Sequence, residues 1–247
     1  MDSTCLWAFA AFSILMAAVA RGYAGFGFSM IAIMLLSLVL PPAKTVPAIL
    51  LLEIAASVWL LPQVWKKIHW RSLVWLSVGV VITTPLGAYL LAVTPPRQLN
   101  IAIAVAVLAS SILLGRGFSL RVMPNKAWTV LIGMATGLLN GAAALGGPPV
   151  ILFYFSSPAG VDVSRASLIA YFFFTDCLAL GANAVGGLVN GDTMLFGAAM
   201  VVPLLLGLMI GSRSYARTSP ETFKKAVLLL LAILSSAVLI RSLCGQS

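Results

Sequence analysis

Two apolar stretches, residues 5–40 and 127–157, are too long to cross a lipid bilayer once and too apolar to rest in water. As continuous helices they would measure about 54 Å and about 46 Å at 1.5 Å per residue, against a hydrocarbon core of ~30 Å. Glycine interrupts both, in "RGYAGFGFSM" from Arg21 and in "NGAAALGGPPV" from Asn140. Six further blocks, 45–63, 72–92, 98–115, 164–188, 193–212 and 222–243, have ordinary spanning lengths. With 61% hydrophobic residues and 9% charged, the chain carries more apolar surface than a soluble core can hide. The expected class is an all-α polytopic membrane protein with the lipid bilayer as its solvent.

The net charge of +9 does not change that class. The Lys and Arg residues are scattered between apolar runs, which suits loops facing an anionic leaflet and not a clustered nucleic-acid surface. No nucleic-acid partner is expected. Cys5, Cys177 and Cys244 have neither disulfide-framework nor metal-site spacing, and no H-E-x-x-H, G-x-S-x-G or phosphate-loop pattern occurs. These features give no reason to expect an enzyme, a cofactor or a metal. His69, in "WKKIHWR" between Trp65 and Trp70, reads as part of a headgroup-level loop. Residues 5–20 end in "AAVA" like a signal peptide, but no Lys or Arg precedes them, so a retained membrane helix is the expectation.

The two halves echo each other. "GFGFSM" from Gly25 and "GGPPVI" from Gly146 lie 121 residues apart, as do Lys44 and Arg165. "TPPRQLNIAIAV" from Thr94 matches "TSPETFKKAVLL" from Thr218 at an offset of 124. Each half therefore reads as one broken block followed by three spans: 1–120 with block 5–40, and 121–247 with block 127–157.

Basic residues test how the second broken block is used. If 127–157 crosses once, Lys66, Lys67, Arg71, Arg116, Arg121, Lys126 and Arg241 face one side. Lys44, Arg97, Arg165, Arg213, Arg217, Lys224 and Lys225 then face the other, an even split that the positive-inside rule disfavours. If the block dips in and returns, only Lys44, Arg97 and Arg241 remain on the sparse side. A re-entrant hairpin is expected there, and the repeat extends it to 5–40. A hairpin plus three spans reverses the chain, so the repeats would be inverted, with both termini outside the inner (plasma) membrane.

Broken backbone at membrane depth is tolerated where protein packs on it or where it lines a watery cavity. Gly25 and Gly27 permit the first break, with a half-helix starting near Phe28; Gly146, Gly147, Pro148 and Pro149 form the second. Helix N-termini carry unsatisfied amides and a partial positive charge, so the breaks are a candidate anion site. Their alternative role is close packing of helices. Arg21, inside the first block, suits an oxyanion, unless it snorkels out or pairs with an acid. Glu53 and Asp176 lie near the centres of corresponding spans, as candidates for coupling protons or for pairing with Arg21. Asn140, Tyr171, Thr175 and Asn183 could contribute hydrogen bonds to a substrate or join helix to helix, with Asn140 carried forward as a binding candidate.

These residues resemble the TauE/SafE sulfite-exporter family, also called the toluenesulfonate-uptake permeases. The likeness rests on the G-x-G break at Gly25 and Gly27, on the G-G-P-P break from Gly146, and on the basic residue after each block. It covers nearly the whole chain in length, block order and duplication. The first copy departs from the family pattern: Phe26 and Phe28 stand where a richer glycine run is common, and no proline follows. The resemblance implies a transporter of small sulfur-containing or organic anions such as sulfite or organosulfonates. Export is the expected direction, because an anion leaving a negative interior gains ~2.3 kcal/mol per charge per 100 mV. A proton-coupled importer and a non-transporting accessory subunit are the alternatives, and a homo-oligomer is left open.

Overall fold

The computed structural model describes residues 3–115, 125–155 and 160–215, together with 233, 236, 239 and 240. Within them the chain is helical: α1 (Ser3–Ala24), α2 (Phe28–Leu36), α3 (Pro42–Val64), α4 (Trp70–Val93), α5 (Pro96–Gly115), α6 (Lys126–Ala143), α7 (Gly147–Phe155), α8 (Val161–Val185) and α9 (Gly191–Tyr215). A single 3-10 turn, Trp65–Lys67, joins α3 to α4. Five of these helices are long and apolar enough to cross a membrane, namely α1, α3, α4, α8 and α9. The expected span 222–243 lies outside the described residues except at four positions. The other spans begin up to three residues earlier than their apolar blocks, because capping residues join the helix; Pro42, for instance, starts α3 where a missing N–H is harmless.

Lipid offers no hydrophobic reason for two apolar helices to associate, so close approach through small residues must hold the bundle. Two seams do this. Along the first, α4 and α6 run parallel, with Gly79 and Gly87 set against Gly133, Gly137 and Gly141 so tightly that a Cβ on most of them would enter the opposing backbone. Along the second, α1 and α9 run parallel, with Gly22 against Leu208 and Gly207 against Leu15 and Ala18. Between the seams, α3 packs on α8, α3 also touches α9, and α8 also touches α4.

Both broken blocks fold back on themselves. Leu40 and Lys44, which follow α2, share a cavity of about 220 Å³ with Leu6, Trp7 and Ala10 at the start of α1. Phe153, near the end of α7, shares one of about 420 Å³ with Lys126 and Thr129 at the start of α6. The two mouths lie at opposite ends of α3: Lys44 is its third residue, whereas His69 of the second cavity follows its far end. An exposed ion pair, Lys67 Nζ to Asp162 Oδ2 at 2.7 Å, ties the loop before α4 to the start of α8. The chain thus leaves the second hairpin at the end where it entered.

Candidate functional site

The first break begins where α1 closes on itself, with the Gly25 N–H donating to the Arg21 carbonyl at 2.8 Å. Gly25 and Gly27 then take φ of 78° and 92°, left-handed values open to glycine at little cost. Gly27 serves as N-cap of α2, and eight of the nine α2 side chains are buried, so this half-helix faces protein on every side. The second break uses different means. There Ala144 takes the left-handed turn, at φ 52°, as C-cap of α6. Gly146 is small for another reason: a Cβ there would sit 3.0 Å from the Asn140 side chain.

Arg21 is fully buried at the first break, and its charge is met from four directions. Nη1 donates to the Gly25 carbonyl at 3.1 Å and Nη2 to Ser57 Oγ at 2.7 Å. Nη2 also lies 3.2 Å from Glu53 Oε2, and the guanidinium stacks on the Phe172 ring with 4.7 Å from Cζ to centroid. The other carboxylate oxygen of Glu53, Oε1, accepts the Ser29 backbone N–H at 3.1 Å. Glu53 therefore caps the N-terminus of α2, and the amide dipole expected to meet cargo meets an internal carboxylate instead. Of the two acids, Glu53 is the one that pairs with Arg21.

The second break repeats this design without a formal cation. Asn140 Nδ2 donates to Asp176 Oδ1 at 2.8 Å, while Asn140 Oδ1 accepts the Gly146 N–H at 3.1 Å. In each half, a polar residue just before the break thus links that break to an acid inside the long helix that follows the half-helix, α3 or α8. Asp176 is 2% exposed, and its Oδ2 has no hydrogen-bond partner. The α7 N-terminus offers few donors, since Pro148 and Pro149 occupy its second and third positions and carry no N–H.

The breaks are neighbours. A Cβ on Gly147 would lie 3.6 Å from Met30 Sδ of α2 and 3.7 Å from Phe172 Cζ, the ring under Arg21. Gly25, Gly147, Arg21 and Glu53 thus converge on one buried polar cluster, with Asp176 close enough to Glu53 to interact electrostatically. A family model described as Sulfite exporter TauE/SafE matches residues 10–238.

The chain belongs to the TauE/SafE family. It is similar to the protein named Probable sulfite/organosulfonate exporter TauE from Cupriavidus necator, 25% identical over 210 residues that make up 81% of each chain. No solved structure matches it. As a TauE/SafE protein it is a multi-pass membrane protein of a transporter family.

Several partners in this TauE/SafE cluster escape a reading of the sequence. Ser57 had a signal, lying four residues after Glu53 on the same helical face. Phe172 and Ser29 had none, because both contacts are made across helices. Arg165 stood out only as the repeat partner of Lys44, yet its Nη2 donates to the Gly22 carbonyl at 2.8 Å and its Cγ lies under Gly25. Tyr171 and Thr175 are buried in α8. Asn183 binds within α8, to the Ala179 carbonyl at 2.8 Å, and reaches the α6 carbonyl of Gly141 only at 3.5 Å. His69 is hydrogen-bonded to Ser72 at 2.8 Å in the second cavity, beside the edge-packed rings of Trp65 and Trp70.

Asn140→Ala tests the second linkage. It strands the Gly146 N–H and takes the partner of Asp176 Oδ1, so a stability loss of about 1–3 kcal/mol is expected. Asn140→Asp, which brings a second carboxylate beside Asp176, is expected to be worse. Thermal unfolding of the purified protein in detergent gives the comparison; an Asn140→Ala protein that melts with wild type would remove the linkage from the account.

Proposed function

We propose that the protein carries small sulfur-containing or organic anions, such as sulfite or organosulfonates, outward across the inner membrane. The observation that carries this reading is Arg21: a fully buried guanidinium at a helix break that, beside its ion pair with Glu53, keeps Nε without a hydrogen-bond partner, in a chain similar to a probable sulfite/organosulfonate exporter. Its planar fork suits the oxygens of a sulfite or sulfonate group. Arg21, Gly25, Gly27, Asn140, Gly146, Gly147 and Pro148 form the proposed substrate region, between cavities that open at opposite ends of the bundle.

The architecture we propose for this task is two inverted repeats, 1–120 and 121–247, each a hairpin followed by three spans. Exchanged pairing supports it: α1 packs on α9 as α6 packs on α4, while the central α3 and α8 pack on each other. Alternating access then amounts to one repeat rocking against the other around a fixed site. The end that holds Lys66, Lys67, Arg71, Lys126 and Arg213 faces the cytoplasm on this reading, which leaves both termini outside.

A second reading, proton-coupled uptake, draws on Asp176, whose buried carboxylate keeps one oxygen without a partner. Proteoliposome flux separates the options. Radiolabelled sulfite and a panel of sulfonates should leave preloaded vesicles down their own concentration gradient. Uptake that builds an anion gradient only while protons flow inward favours the second reading, and no flux for any anion in the panel rejects the transport reading.

A further inference from the structure

The donors that suit an incoming anion are held by the protein's own carboxylate. We infer that Glu53 is a built-in surrogate for the substrate anion: cargo binds at Arg21 and the α2 N-terminus when Glu53 takes up a proton and gives these donors up, so each bound anion is accompanied by one proton. This deepens the anion-carrier reading and rests on it.

The geometry behind it is a matched pair of contacts. Glu53 Oε1 accepts the Ser29 amide, while Oε2 stands in a 3.2 Å ion pair with Arg21 Nη2 without accepting a hydrogen bond, so one planar carboxylate spans the charge and the amide that an oxyanion would meet. Both donors are also in place without it. Arg21 is fixed by Ser57 Oγ, the Gly25 carbonyl and the Phe172 ring, and the Ser29 amide is fixed by α2 itself. A further donor waits beside them, because Arg21 Nε is buried and has no hydrogen-bond partner. A guanidinium can therefore exchange one anion for another without being rebuilt.

The charge environment of Glu53 is simple. From α1 it faces Arg21, from α8 it is influenced by Asp176, with Arg165 of the same helix set against Gly22 and Gly25 of the break, and α2 presents the Ser29 amide. The charged residues of α4, α5, α6 and α9 that are described (Arg71, Arg97, Lys126, Asp192 and Arg213) all lie within three residues of a helix end. In the exchange, the incoming proton forms an O–H bond on the Glu53 carboxyl and cancels its charge. The arriving anion then restores the neutrality of the Arg21 site. Neither species alone leaves the site balanced, and this balance is the origin of the one-to-one coupling.

The test uses the purified full chain in detergent, with methanesulfonate as probe because it stays a monoanion across the pH range. For the wild type, calorimetric affinity should weaken by about tenfold per pH unit, the slope of one proton taken up with each anion. Glu53→Gln should bind with an affinity that is flat in pH. At pH 8 its melting temperature should rise more with methanesulfonate than that of the wild type, since the anion supplies the missing charge. The neutral pair Arg21→Gln with Glu53→Gln should fold and not bind. A pH-independent wild type overturns the inference and leaves the carrier reading intact, as does Glu53→Gln with the wild-type slope, or binding by the double variant. Absence of binding to sulfonate and sulfite alike, in wild type and Glu53→Gln at every pH, overturns both.

Discussion

Arg21→Ala is expected to be among the most damaging single substitutions in the chain. It leaves Glu53, 2% exposed, as a buried carboxylate that still accepts the Ser29 amide and has lost its counter-charge. It also removes the donor to Ser57 and opens a hole against Phe172. Breaking one side of a buried pair costs about 3–5 kcal/mol, more than the pair itself contributes, because the survivor keeps its desolvation penalty. In a chain of this size that corresponds to a fall in melting temperature of order 10 °C. Flux of sulfite and sulfonates should be lost as well. Replacing both partners by Gln removes the stranded charge, so the double variant should recover much of the stability and none of the flux. Equal melting temperatures for Arg21→Ala and wild type would contradict the ion-pair account directly.

Gly133→Val should disrupt the bundle by a separate route. Any Cβ at Gly133 enters the backbone of α4 at Leu76, and backbone cannot swing aside as a side-chain tip can. Overpacking costs about 1–3 kcal/mol where neighbours can adjust, and here the adjustment required is a shift of a whole helix. The expected outcome is loss of the folded species in detergent, read by size-exclusion chromatography. The comparison is Gly181→Ala in α8, where a new Cβ meets nothing within 4 Å. That change should be harmless or add a few tenths of a kcal/mol, up to ~1, through helix propensity. If both variants behaved alike, the seam would not be what holds α4 to α6.

Much of the site was visible in the chain before folding, in the form of individual residues. The breaks at Gly25 and Gly146 were legible because these glycines fall inside the two apolar blocks too long to cross a bilayer once. Arg21, Glu53 and Asp176 were legible because charge at such positions is expensive. Their assignments to partners were not legible. The sequence left Arg21 free to choose cargo, headgroup or acid, and either acid free to meet it, since α1, α3 and α8 can be brought together in several ways. Asn140 looked more like a joint between helices than a bridge from its own break to Asp176. The left-handed residue of the second break carries no signal in the sequence: Ala144 makes the turn although Gly146 and Gly147 stand just beyond it, and Gly146 is small so that Asn140 can pack.

Hydropathy and charge alone determined that this chain lives in lipid, that two of its apolar blocks must bend, and that the basic residues favour a returning second block. These follow from local costs, the transfer of side chains and the satisfaction of backbone groups, which each segment bears wherever its neighbours stand. Only the tertiary structure decided that the first half-helix is capped by Glu53 and that Phe172 lies under Arg21. The same holds for α1 pairing with α9 and α4 with α6. Those outcomes depend on which helices approach closely enough to share a charge or exclude a methyl group, and that is a property of the whole packing.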